Sequence, residues 1–482
     1  MSIKAVEKIG GTSMSRFPEL LDTLFADDAG NPEYGRIVVV SAFGGMTDLL
    51  LEHKHSGEPG VFSLFSEGED ADEWQDQLSD VGRRMQAVNA EFFQESAPLL
   101  TKADRFVEER IADARQCLSD VQRVCSFGPF DLDAYLDRVR ELLSSMGEAH
   151  SAHNAAMLLN EHGVAARFVD LTGWRDSRSL KLDGRIVLGL QNVDVTRELP
   201  IVTGYAQCEE GLVKRYARGY TEITMSRIAV LTQPDEAVIH KEYHLSSGDP
   251  KIVGAERSVP IGRTNYDVTD QLANLGMEAI HPSAAGMLRK RNIPLRVKHA
   301  FQPDHSGTLI DGSYRSDKPR VEIIAGRRSV MAIEVFDQDM IGAQMAFETR
   351  FIEALSRFRV RSIGKDLNAN SITHYVTCPL RTARRLTEHL EEIFPDAGIA
   401  SKKVAFVCAI GTDMDMPGIL ARCAAALGAA GVKILSVSQP LRGVDARFVV
   451  EEEQYAESVR ALHDSIFAGS TAEGNEAADR AA

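Results

Sequence analysis

The chain begins with a short apolar stretch (Ile3, Ala5, Val6) that breaks off at Lys8-Ile9-Gly10-Gly11-Thr12-Ser13. A second and stronger run, Arg36-Ile37-Val38-Val39-Val40-Ser41-Ala42, opens into Phe43-Gly44-Gly45-Met46-Thr47. A β-branched run with no polar alternation is a strand buried on both faces, as in a parallel sheet covered by helices. From His53 to Glu161 the apolar residues fall at helical spacing, and the acidic stretch Glu67–Asp80 reads as a solvated loop and helix start. Strands resume at 166–170, 199–204 and 236–240, the last after a helical Ser226–Leu231. Strands alternating with helices predict an α/β fold, a three-layer αβα sandwich with a mostly parallel sheet. Ligands of such sheets bind at the carboxyl ends of the strands, where both glycine loops fall.

The first loop has the makings of a phosphate cradle. Without side chains at Gly10 and Gly11, backbone N–H groups approach an anion closely, and a following helix turns its positive end toward it. Lys8 adds a compact charge that can follow a phosphoryl group as its charge moves. On the hexapeptide alone, a plain strand-turn-helix stands as an equal reading.

At 482 residues the chain exceeds one hydrophobic core, and its 44% hydrophobic and 26% charged content is that of a globular protein. The net charge of −16 argues against nucleic acid as a main partner, because phosphate backbones demand a basic face. Six scattered cysteines, with no C-x-x-C pair, read as reduced thiols. No apolar run approaches the ~18 residues that span a bilayer, and the N-terminus lacks the pattern of a signal peptide. A soluble, cytoplasmic protein without membrane contact is expected.

The character changes near residue 310, where Asp311–Pro319 reads as a linker or exposed loop. Two similar blocks follow. One starts at Val330–Val335 and passes through Asp337–Gly342 into a helix and the strand Arg359–Ile363. The other starts at Val404–Ile410 and passes through Met416-Pro417-Gly418-Ile419 into a helix and the strand Val432–Val437. A strand-loop-helix-strand unit occurring twice is an internal repeat. The last stretch, Gly469–Ala482, is small, polar and acidic, and is expected to be disordered.

Taken in order, these features resemble the aspartate kinases of the amino-acid kinase superfamily over nearly the whole length. Lys8–Ser13 is similar to the K-F-G-G-T-S signature, Val40-Ser41-Ala42 with Gly45-Met46-Thr47 to the V-S-A…G-x-T loop, and Ser145-Met146-Gly147-Glu148 to the G-E element of the aspartate site. The two C-terminal blocks resemble paired ACT domains, with Pro417-Gly418 as the usual loop. Three departures stand out. Ala217-Arg218-Gly219-Tyr220-Thr221-Glu222 replaces G-R-G-G-S-D, His240–Lys251 rewrites the usual nucleotide segment, and Glu278 stands where a lysine is usual. Together they resemble the aspartate kinase subtype encoded with ectoine biosynthesis genes.

The resemblance implies the amino-acid kinase fold over 1–310, with an aspartate-side N-lobe and a nucleotide-side C-lobe. Ferredoxin-like ACT domains are implied over 321–400 and 401–466, with a disordered tail over 467–482. It implies allosteric control, with an effector near Asp337–Gly342 or Asp415–Ile419, and a homodimer formed through the ACT domains. It also implies transfer of the γ-phosphoryl of ATP, with Mg²⁺ entering on the nucleotide, to the side chain of L-aspartate. The product is 4-phospho-L-aspartate, the first step toward aspartate semialdehyde and from it ectoine, lysine, threonine and methionine. Lys8 and Glu222 would be catalytic, and Lys8, Gly10, Gly11 and Thr12 would hold the ATP phosphates. Ser41, Thr47, Glu148 and Arg218 would bind aspartate.

The chemistry suits these residue types. A carboxylate with a reference pKa of about 3.9 needs no base to activate it, so catalysis reduces to alignment and charge stabilisation. Arg218 offers a bidentate fork to an α-carboxylate and Glu148 an anion to an ammonium, whereas taken singly they read as a surface ion pair and an ordinary helix carboxylate. Glu222 is suited to orienting Lys8 or assisting the metal. Lys241 and Lys251 read as exposed lysines, and His281 as a packed turn histidine. Two other readings are an amino-acid-sensing pseudokinase, suggested by the rewritten segments, and a kinase for another carboxylate such as glutamate. Retained Lys8, Glu148 and Arg218 argue against the first, and the ACT pair argues against the second.

Overall fold

The computed structural model describes residues 3–25, 32–53, 56–67, 71–277 and 279–468. Glu278 and the expected tail from Gly469 onward lie outside the described residues. The chain folds into two compact units, Met1–His244 with Ile280–Gly312, and Leu245–Ala279 with Ser313–Ala482.

In the first unit the strands lie in the order 166–169, 199–203, 36–40, 5–9, 236–241, 295–299, all parallel, with 308–311 antiparallel beside the last of them. Arg36–Val40 is buried at every position, as its unbroken apolar run requires. The neighbouring Ala5–Ile9 carries Glu7 into the same interior, where the carboxylate meets Arg36 at 3.0 Å and His240 at 2.8 Å on the two flanking strands. Burial alone would raise its pKa, but these partners bring it down to about 2. The helical stretch of the sequence becomes Val61–Glu67, Ala71–Phe92, Ala97–Cys125 and Asp133–Glu161. Asp72 and Glu73 sit in the first turn of the second of these helices, where negative charge suits the helix dipole, and Trp74 beside them is wholly buried. One apolar cluster gathers Phe17, Phe25, Val40, Phe43, Phe93 and Leu159, and another Trp74, Leu78, Met85, Ile111 and Leu143.

The second unit holds a six-stranded sheet ordered 361–367, 371–377, 323–336, 398–410, 445–451, 434–438, antiparallel throughout. The repeat is larger than its sequence signature: strand, helix, strand, strand, helix occurs over 323–393 and again over 398–467. The first strands of the two copies pair at the centre of the sheet, and each copy then runs outward in the same internal order. The position 400/401, between the two expected ACT domains, falls inside the strand Gly398–Ile410. Residues 245–279 cluster with this second unit, although they precede the expected linker. The final helix ends at Phe467.

Candidate active site

The strands Ala5–Ile9 and Arg36–Val40 run parallel and in register, which sets the two glycine loops side by side at their carboxyl ends. Ser41 donates its N–H to the Ile9 carbonyl at 3.1 Å and accepts from Ser151 Oγ on its own carbonyl at 2.7 Å. A Cβ on Gly11 would stand 2.7 Å from the Ala42 carbonyl oxygen, and one on Gly147 would stand 2.7 Å from the Ala42 Cβ. Only glycine at both positions lets the first loop and the helix Asp133–Glu161 close on Ala42. That closure carries Glu148 up to the loops.

The start of the helix Tyr220–Thr232 sends three consecutive residues to three residues singled out in the sequence. The Tyr220 hydroxyl donates to Glu148 Oε1 at 2.8 Å, the Thr221 and Ser41 hydroxyls meet at 3.4 Å, and Glu222 Oε1 pairs with Lys8 Nζ at 3.5 Å. Successive residues of a helix point about 100° apart, so one turn can serve three separate partners. The second oxygen of Glu222 accepts the backbone N–H of His281. His281 itself caps the helix Pro282–Lys290, its Nδ1 accepting from the Ser283 N–H at 3.2 Å, in keeping with a packed turn histidine.

Burial lowers the pKa of Lys8 from the ordinary lysine range, and Lys241 acts in the same direction, while Glu222 and Glu242 oppose them. The helix behind Gly10 and Gly11 is a single turn, Gly11–Met14, so local N–H groups rather than a long dipole supply the positive field there. Thr12 is exposed. It is Ser13 that turns inward, donating to Glu242 Oε1 at 2.5 Å.

Glu148 is 2% exposed, in the middle of its helix. Oε1 accepts from Tyr220, whereas Oε2 is buried without a hydrogen-bond partner. Burial pushes the carboxyl up to about 7, against the hydrogen bond from Tyr220 and the nearby backbone N–H groups of Ala42 and Glu148. Thr47, beside the second loop, lies close enough to Tyr220 for its side chain to bear on the phenol hydroxyl. Arg218 does not present an empty fork: its guanidinium engages the Asp48 carboxylate and the Glu52 carbonyl. An incoming α-carboxylate must share or displace Asp48. Among the described residues no three His, Cys, Asp or Glu side chains are arranged to hold a metal ion.

Lys8 thus meets Glu222 directly, Ser41 joins the same helix through Thr221, and Glu148 and Thr47 join it through Tyr220, while Gly10 and Gly11 follow Lys8 in its loop and Arg218 attaches through Asp48. Sequence reasoning missed the contacts made by Tyr220, Asp48, Glu242 and Ser151. Of these Tyr220 had left a signal, as a departure from a glycine, and Glu242 lay in the rewritten segment His240–Lys251.

The model of the family described as "Amino acid kinase family" matches residues 4–299. The chain is 48% identical to aspartate kinase Ask_Ect of Stutzerimonas stutzeri (strain A1501) over 462 residues, 96% of this chain and 97% of that protein. It belongs to the amino acid kinase family, in its aspartate kinase branch. A more distant member, chloroplastic aspartokinase 1 of Arabidopsis thaliana, is 26% identical over 96% of this chain and 80% of its own. The crystal structure of E. coli aspartokinase III in complex with aspartate and ADP shares the fold, with a TM-score of 0.70 and 19% identity over 96% of this chain and all of that one. No helix among the described residues of this family member is long and apolar enough to cross a membrane.

Proposed function

We propose that the chain is a working aspartate kinase, carrying the γ-phosphoryl group of ATP to the side-chain carboxylate of L-aspartate. A carboxylate oxygen forms the new bond to phosphorus, the bond from phosphorus to the bridging oxygen of ADP breaks, and no proton need move. The observation that carries the reading is the start of the helix Tyr220–Thr232, which binds Glu148, Ser41 and Lys8 into one constellation. A pseudokinase has no need for rewritten residues that each retain a partner in the site.

Lys8 and the Gly10–Gly11 amides take the transferring phosphoryl group, with Glu222 holding the Lys8 ammonium in place. Thr12 and Ser13 lie beside the phosphates. Glu148 accepts the α-ammonium on its unpartnered oxygen, and Arg218 takes the α-carboxylate from Asp48. Mg²⁺ would enter with the nucleotide, because it keeps several of its waters and binds chiefly through phosphates. Bound there, it neutralises charge on the phosphates.

We assign the second unit to the two ACT domains and to homodimer formation. Its outer strands, 361–367 and 434–438, are sheet edges, and Met345 and Ile352 expose apolar side chains on one face of the helix Gln344–Arg357. Tyr220 and Glu222 support placing the chain with the ectoine-associated subtype, a cytoplasmic role. Trapping the acyl phosphate with hydroxylamine, in ATP and Mg²⁺, tests the activity. L-Aspartate should give product, and L-glutamate, one methylene longer, far less; equal rates, or none with aspartate, would overturn the reading.

A further inference from the structure

We propose that Tyr220 is a positioning residue for substrate recognition: its hydroxyl fixes the Glu148 carboxylate so that Oε2 faces the α-ammonium of the amino acid. The inference rests on the ammonium-binding reading of Glu148 given above.

A carboxylate can rotate about its last bond, and in an apolar setting either oxygen is free to face the substrate. Here one oxygen is already engaged by a single phenol donor, 2.8 Å away, and the other has no partner. The donor is itself held by packing. Tyr220 is fully buried, its ring meets Tyr205 edge to face at 5.8 Å and 82°, and its hydroxyl also interacts with the Thr47 hydroxyl. A phenol gives one hydrogen bond and can accept others, so the order Thr47 to Tyr220 to Glu148 uses each hydroxyl once as a donor. Thr47 thereby acts on the amino acid through two intermediaries.

The charges on the surrounding elements are engaged elsewhere. Asp48, on the helix that carries Thr47, is held by Arg218, and Glu222, two residues beyond Tyr220, is held by Lys8. Tyr205 is the other titratable group that bears on the Tyr220 hydroxyl. What opposes burial at Glu148 is therefore the Tyr220 hydrogen bond, with backbone N–H groups beside it. A glycine at position 220 offers no hydroxyl to do this, so this chain has built its amino-acid site with a support that a G-R-G-G-S-D segment lacks.

The test is steady-state kinetics of the full chain between pH 6 and 9, with Tyr220→Phe, Thr47→Val and Glu148→Gln. Phenylalanine keeps the packing and removes only the donor. The aspartate KM of Tyr220→Phe should rise about tenfold at neutral pH, the scale of a hydrogen bond to a charged group. It should recover toward the parent value at higher pH, because Glu148 without its donor ionises later. Its kcat and ATP KM should stay near those of the parent. Thr47→Val should shift the same profile in the same direction but less, and it stands as the test if Tyr220→Phe does not fold. Glu148→Gln should raise the aspartate KM at every pH. A parent-like aspartate KM in Glu148→Gln would overturn the ammonium reading itself. A raised KM there, with parent-like pH profiles in the other two variants, would overturn the role of Tyr220 alone.

Discussion

Lys8 sits between opposing influences, burial and Lys241 against the ammonium, Glu222 and Glu242 in its favour. Such a side chain gains most when additional negative charge arrives, which is what the transferring phosphoryl group brings. Lys8→Ala should lower kcat roughly a hundredfold or more while leaving the aspartate KM near its parent value. A change confined to KM would assign Lys8 to ground-state binding instead. Glu148 makes a prediction of opposite character. With its carboxyl pushed up to about 7, the free protein holds it largely protonated at pH 6 and largely ionised at pH 8. An ammonium binds only the ionised form, so the aspartate KM should fall as pH rises through 7, and binding near pH 7 should release protons. Calorimetry in buffers of differing ionisation enthalpy reads that release, and an enthalpy independent of buffer would contradict it. In the sequence, motif order singled out Lys8, Glu148 and Arg218. It did not pair them with their partners: Asp48 and Arg218 lie 170 positions apart, and Tyr220 and Glu148 lie 72 apart, so only the fold reveals either pair.

Elements were legible where burial left a simple pattern. Arg36–Val40 and Leu199–Thr203 are buried at every position, and their continuous apolar runs announced them. The strands Ser371–Thr377 and Asp445–Glu451 interleave polar residues such as His374 and Arg447, and the helix Leu380–Ile393 is mostly polar. None of these three had a run long enough to stand out, so half of each repeat went unseen. How elements close on one another is a separate matter, and here two glycines decide it. Gly11→Ala would drive a Cβ into a backbone carbonyl that cannot rotate away, forcing the two loops apart. Destabilisation of about 1–3 kcal/mol, typical of overpacking, should be accompanied by a disproportionate loss of kcat. Thermal unfolding and kinetics on the same sample check this; full activity with parent stability would show that the loops tolerate separation.

At the scale of the whole molecule, the sequence marked one change of character, near residue 310, whereas the chain crosses between its units three times. Residues 245–279 leave the first unit and fold with 313–482 before the chain returns for Ile280–Gly312. No composition shift marks that excursion, because the segment uses the same mixture of short helices and turns as its surroundings. The excursion also bears on how dimer formation should be tested. Cutting the chain near 310 would strand 245–279 without the unit it packs in, and any loss of assembly would be ambiguous. Charged substitutions on the exposed helix face avoid this. Met345 is 83% exposed and Ile352 46%, so aspartate at either position costs the folded unit little. Buried in a symmetric interface, the same charges would meet their copies across the two-fold axis without solvent. Met345→Asp with Ile352→Asp should therefore convert a dimer to a monomer in light scattering, with the helical circular dichroism unchanged. A doubly substituted chain that stays dimeric would move the interface off this helix, to the other edge of the sheet at Ile434–Ser438, where Val437 is also exposed.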